Sequence, residues 1–76
     1  MMGFDLGQAL REEREKAGMS QKELANKIGV YWRTVDHWEK HRRTPKPQRL
    51  IKIAKVLNID IAKLQKPYNY EKFGII

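Results

Sequence analysis

Residues 20–39 read "SQKELANKIGVYWRTVDHWE", and the fold turns on this stretch. Ser20 and Glu23 have capping-box spacing: the hydroxyl accepts from the N–H three residues on, the carboxylate reaches back, and a helix starts. Leu24, Ala25 and Ile28 recur at helical intervals on one face. Gly29 then stands where the chain must turn sharply, a position that tolerates positive φ. A second helix is predicted from about Tyr31 to Lys40. Each residue turns a helix by about 100°, so Val35 and Trp38 lie about 60° apart on one face. Trp32 is about 120° from Trp38, while Arg33 and His37 are only about 40° from each other. Val35 and Trp38 are expected inside, and Trp32, Arg33, Asp36, His37 and Lys40 outside. Two helices crossing after a tight turn need a small residue at the crossing, here Ala25. Apolar residues, Val30 among them, must fill the rest of the seam.

The flanking sequence extends the helical reading. Asp5 and Gln8 repeat the capping-box spacing, and Phe4 is placed to staple onto Ala9. The helix they open carries Leu6, Ala9, Leu10 and Ala17 on one stripe and should end at Gly18. "RRTPKPQ", residues 42–48, is a loop, with Pro47 suited to the first turn of a fourth helix. That helix shows Leu50, Ile51, Ile53, Ala54 and Leu57 as its apolar set. Asp60 should cap a short fifth helix through Leu64, stopped before Pro67.

Size and composition exclude several functions. Seventy-six residues make one small domain without room for a core plus a large substrate cavity. The absence of cysteine removes disulfides, thiolate metal sites and cysteine nucleophiles, and fits a reducing cytosol. No apolar run approaches the roughly 18 residues of a membrane span, and the first residues lack signal-peptide order. A cytoplasmic protein with no membrane association is expected. The net charge of +7 is unevenly placed. Arg33, Lys40, Arg42, Arg43, Lys46, Arg49, Lys52 and Lys55 face only Asp36 and Glu39 in their segment, which therefore holds +6 of the total. Such a basic segment suits a polyanion partner, although a merely solvated surface has the same charge.

The two-helix seam resembles the DNA-binding helix-turn-helix, whose second helix enters the major groove. Beyond it, "REEREKAGMSQKELANKIGVYWRTVDHWEKHRRTPKP" is similar to the phage-repressor family, called Cro-like or XRE-like. The specific pieces are "SQKELANKIGV", the Trp38-Glu39 pair and the Arg-rich, Pro-containing loop. The resemblance covers about residues 6–65. It implies an all-α, five-helix, lambda-repressor-like domain over 1–66, its helix-turn-helix formed by helices 2 and 3. Residues 67–76 are expected to be a C-terminal extension for docking or dimerisation.

Function follows from the same resemblance as an expectation: sequence-specific binding of double-stranded DNA by a transcriptional regulator, as a homodimer on a near-palindromic operator, with no cofactor. It places base reading on Trp32, Arg33 and His37. Arg33 can donate two bonds to guanine O6 and N7. Trp32 would pack on a thymine methyl or a sugar, or else only on the protein's own surface. Gln21 matches a family position that binds backbone phosphate and buttresses the reading helix. Lys40, Arg42, Arg43 and Lys46 become phosphate clamps that set register without reading sequence. Arg14 falls on the inward stripe of the first helix, where a guanidinium needs a carboxylate. Similar proteins supply it from the end of the recognition helix, here Glu39, and an Arg14–Glu39 ion pair is expected.

Two residues depart from the family pattern. Tyr31 stands where relatives cap the recognition helix with Ser or Thr, and tyrosine is a poor cap. Its hydroxyl is assigned to a phosphate instead. His41 replaces the glycine that commonly ends the same helix, and histidine in the left-handed region is strained.

Two other functions compete. His37 and His41 share a helix face as zinc ligands would. Trp38 rather than Glu follows the first histidine, and neither a third histidine nor a cysteine exists, so no metal site is assigned. No nucleophile–base–orienter set can be argued from the spacing, so no enzyme is expected. The alternative function is an antitoxin or coactivator-type interaction module on the same fold. It rests on the tail "KPYNYEKFGII", whose Tyr68, Tyr70, Phe73, Ile75 and Ile76 suit folding back, a second copy or a protein partner.

Overall fold

The computed structural model describes residues 4–65. The expectations for the tail, Tyr68 to Ile76, lie outside the described residues. Four α-helices form in order: α1 Leu6–Lys16, α2 Gln21–Ile28, α3 Trp32–Glu39 and α4 Pro47–Leu57. The fifth helix expected from the sequence is a correction. Ile61–Leu64 is a single 3-10 helix, capped by Asp60, whose carboxylate accepts from the Ala62 N–H at 3.0 Å. Its backbone bonds run three residues back, from Lys63 to Asp60 and from Gln65 to Ala62, the tighter turn used in short segments. The described residues contain no strand.

Local chemistry sets each boundary. Ser20 and Glu23 form the full capping box of α2, with both reciprocal bonds present. At α1 only half of the expected box forms. Asp5 accepts from the Gln8 N–H, but the Gln8 side chain donates forward to Glu12. Gly29 ends α2 at φ 80°, a conformation open to glycine at no Cβ cost. Pro47 opens α4, where its missing N–H costs nothing. The end of α3 is a Schellman motif: the Arg42 N–H reaches the His37 carbonyl and the His41 N–H the Trp38 carbonyl. His41 takes the left-handed residue of that motif, at φ 65°. The sequence bounds of α3, Tyr31 to Lys40, shrink by one residue at each end, both residues acting as caps.

The helices enclose one core. Leu10, Leu24, Ile28, Val35, Ile53 and Leu64 are fully buried, with Trp38, Ala25, Leu50, Ala54 and Leu57 completing the cluster. Each large aliphatic side chain so buried contributes about 1.5–3 kcal/mol. α2 packs on α3 and α4, and α1 packs on α3 and the 3-10 helix. Two expected inward positions are wrong. Ala17 is exposed at the cap of α1, and Ile51 is 49% exposed on α4. Phe4 is also exposed, along a groove that Trp38 and Pro45 help to line.

One contact fixes the approach of α1 to α3. Gly7 is buried within α1, and a Cβ there would meet the carbonyl oxygens of Trp38 and Glu39, each at 2.8 Å. Only a residue without a side chain lets the two backbones come so close.

Candidate nucleic-acid interface

The end of α3 is anchored by ionic and amide bonds. Arg14 Nε donates to Glu39 Oε2 at 2.6 Å and Nη2 to Glu39 Oε1 at 3.0 Å, a bidentate fork between buried side chains. Arg14 Nη1 donates to the Met19 carbonyl at 2.8 Å. The Glu39 bonds raise the arginine's pKa, with burial opposing, and the guanidinium is held firmly charged. Gln21 Nε2 adds two bonds at 3.1 Å, one to Glu39 Oε1 and one to Asp36 Oδ1. The helix-turn-helix pair is therefore clipped together by α2's first residue, and its last turn is clipped to α1.

Asp36 is the one acidic side chain on the outward face of α3, and it is neutralised. Gln21 chiefly, then Lys40 at 3.3 Å, hold its carboxyl below the usual carboxylate range. Arg33, Arg42, Arg43 and Lys46 are exposed and form no ion pair among the described residues. Together with the helix they flank, they make a basic strip with free guanidinium donors.

The aromatic residues divide differently from the sequence expectation. Trp32, expected to point outward, is half-buried and packs against the core. Its position opens α3 above the α2–α3 seam, so tertiary packing overrides its placement on the helix wheel. Tyr31, 64% exposed, lies beside it with ring centroids 6.0 Å apart at 51°. Tyr31 supplies no side-chain cap to α3. Arg33 Cζ stands 5.3 Å from the Trp32 ring centroid and Lys22 Nζ 5.8 Å from it. His37 is half-buried in the second turn of the same helix, with no side-chain hydrogen bond among the described residues.

Several predicted phosphate contacts already have partners within the chain. Gln21 spends its amide donors on Asp36 and Glu39, and Lys40 pairs with Asp36. Arg42, Arg43 and Lys46 have no ion pair among the described residues. Sequence reasoning missed three participants. Lys22 reaches Trp32 from α2, Arg49 donates to the Ile28 carbonyl at 3.4 Å, and His41 Nε2 pairs with Asp5 Oδ1 at 2.5 Å. No local spacing announces any of them, because each joins residues ten or more apart in sequence. The Gln8 N–H chiefly, with His41, lowers the Asp5 carboxyl pKa.

No group of three or more His, Asp or Glu side chains among the described residues is placed to hold a metal. No described helix is long and apolar enough to cross a membrane.

Comparison with known proteins gives consistent results. The sequence model of a family described as helix-turn-helix matches residues 10–64. An uncharacterised HTH-type transcriptional regulator from Archaeoglobus fulgidus is 44% identical over 55 residues, covering 72% of this chain and 79% of that protein. The HTH-type transcriptional regulator ImmR of Bacillus subtilis is 35% identical over 56 residues, 74% of this chain. The match spans only 44% of the length of ImmR. Among solved structures, SinR, a master regulator for biofilm formation crystallised with DNA, superposes with a TM-score of 0.72. It is 33% identical, over 78% of this chain and 95% of that one.

Proposed function

Because the chain belongs to the Cro/XRE-type helix-turn-helix family, whose similar members include transcriptional regulators, we propose that it reads double-stranded DNA in a sequence-specific way as such a regulator. α3 enters the major groove. Arg33 and His37 meet base edges, and Trp32 lies at the same surface. Tyr31, Arg42, Arg43 and Lys46 grip phosphates on either side, while Lys40 and Gln21 contribute there from positions already tied to Asp36. One observation carries the proposal. The outward strip of α3 and its exit loop keeps Arg33, Arg42, Arg43 and Lys46 exposed and, among the described residues, without an ion pair, while its single carboxylate is satisfied by Gln21 and Lys40. A merely solvated charged face has no reason to segregate its ions in this way.

A homodimer on a near-palindromic site, working in the cytoplasm, completes the proposal. One recognition helix contacts few base pairs, and two-fold dimers are the common answer. An apolar groove lined by Ile51, Ala54, Ile59 and Ile61 is a surface such a dimer can cover. The same groove supports the antitoxin or coactivator reading, in which another protein occupies it. Selection of bound duplexes from a random library, at low and moderate salt, tests the proposal. Recovery of a two-fold motif with half-sites about one helical turn apart is the expected result. Motif-free binding that vanishes with added salt would instead leave DNA as a non-specific ligand.

A further inference from the structure

We infer that Trp32 is a positioning residue for Arg33, a cation–π platform that restrains its guanidinium for guanine, rather than a base-reading residue. This deepens the reading of α3 as the DNA-recognition helix and rests on it. The indole is half-buried and packed against the core, so it is a fixed surface. Arg33 Cζ lies 5.3 Å from its ring centroid, within the range of attraction between a cation and an aromatic face. Among the described residues Arg33 forms no ion pair. Asp36, three residues on and the nearest acidic side chain along the helix, is occupied by Gln21 at 3.1 Å and Lys40 at 3.3 Å. An exposed arginine otherwise loses much rotamer freedom on meeting a base. A cation–π contact with the half-buried indole removes part of that loss before DNA arrives, so that less is lost when the guanidinium donates to O6 and N7. Lys22, from α2, also reaches the ring at 5.8 Å and adds a second helix to the platform.

The test uses the duplex recovered by selection and its single-base variants, with Arg33→Ala, Trp32→Leu, Trp32→Phe and the Trp32→Leu/Arg33→Ala double variant. Trp32→Leu should lose about two- to five-fold in discrimination, at the same base pair that Arg33→Ala affects. Trp32→Phe, which keeps an aromatic face, should retain most of it. The double variant should match Arg33→Ala alone. Additive losses, or a Trp32→Leu effect at a different base pair, would overturn the inference and make Trp32 a reader in its own right. Uniform weakening on every duplex would reduce it to a packing residue. If Arg33→Ala altered no base preference, the functional reading would fall and take this inference with it. A second measurement needs no DNA. NMR relaxation of the Arg33 Nε–H in the free protein should show greater motion in Trp32→Leu than in wild type, and equal motion would overturn the platform role.

Discussion

Removing one partner of the Arg14–Glu39 fork should nearly unfold this domain, and removing both should largely restore it. Both side chains are about nine-tenths buried, and Glu39 accepts two bonds from Arg14 and one from Gln21. Arg14→Met leaves a buried carboxylate with a single amide partner, and Glu39→Leu leaves a buried guanidinium with one hydrogen bond, to the Met19 carbonyl, and the half-exposed Glu15 carboxylate 3.9 Å away. Stranding a buried charge costs about 3–5 kcal/mol. A domain of this size sits near the lower end of the usual 5–15 kcal/mol of total stability, so either single variant should lose most of it. The Arg14→Met/Glu39→Leu double variant strands no charge. Its residual deficit, from the unpartnered Met19 carbonyl and imperfect packing, should be about 1–2 kcal/mol. Urea unfolding followed by tryptophan fluorescence, with sucrose added equally to hold the weak variants folded, reads all four proteins. If each single variant lost under about 1 kcal/mol, or the double fell as far as the singles, the fork would not be the anchor of α3 described here.

Three further outcomes are expected. Gly7→Ala gains about 1 kcal/mol of helix propensity, but its Cβ meets two backbone oxygens at 2.8 Å; overpacking of about 1–3 kcal/mol should give a net loss in urea midpoint. A midpoint above wild type would show that α1 shifts freely. Arg43→Ala should weaken all duplexes alike and flatten the dependence of log K on log salt by about 0.9. A base-specific loss would contradict its role as a clamp. Asp36 has a lowered pKa in the folded chain, so it stabilises the fold above its unfolded value of about 3.9. That contribution is lost as pH falls through the lowered value, and it is constant at neutral pH. Carboxyl-carbon NMR titration should find its midpoint higher in Gln21→Leu than in wild type, and an unmoved midpoint would remove Gln21 as the chief cause.

Sequence periodicity located all four α-helices because their signals are local. Ser20 with Glu23, Gly29 and Pro47 act through bonds and dihedrals within a few residues of themselves. The last segment differs because Ile61–Leu64 is a single short turn whose bonds run three residues back, and apolar spacing does not distinguish that turn from an α-helical one. Ile51 and Ala17 failed because apolar character alone does not say whether a partner helix reaches that face. The site was legible in part. Arg33, Arg42, Arg43 and Lys46 stand exposed as charge and spacing suggest, whereas Trp32 turns toward the core and Gln21 and Lys40 are drawn to Asp36.

The amino-acid order by itself determined the helices, the turn at Gly29, the buried seam of Leu24, Ile28, Val35 and Trp38, and the basic strip, all consequences of short-range geometry and charge count. Only the tertiary structure decided which cations stay unpaired among the described residues, how closely α1 meets α3 at Gly7, and that the Arg33 guanidinium lies over the Trp32 ring. These depend on distances between residues on different helices or on the burial of a single ring. Hydrogen bonds and ion pairs have reaches of about 3–4 Å, so they exist only once packing has brought their partners together.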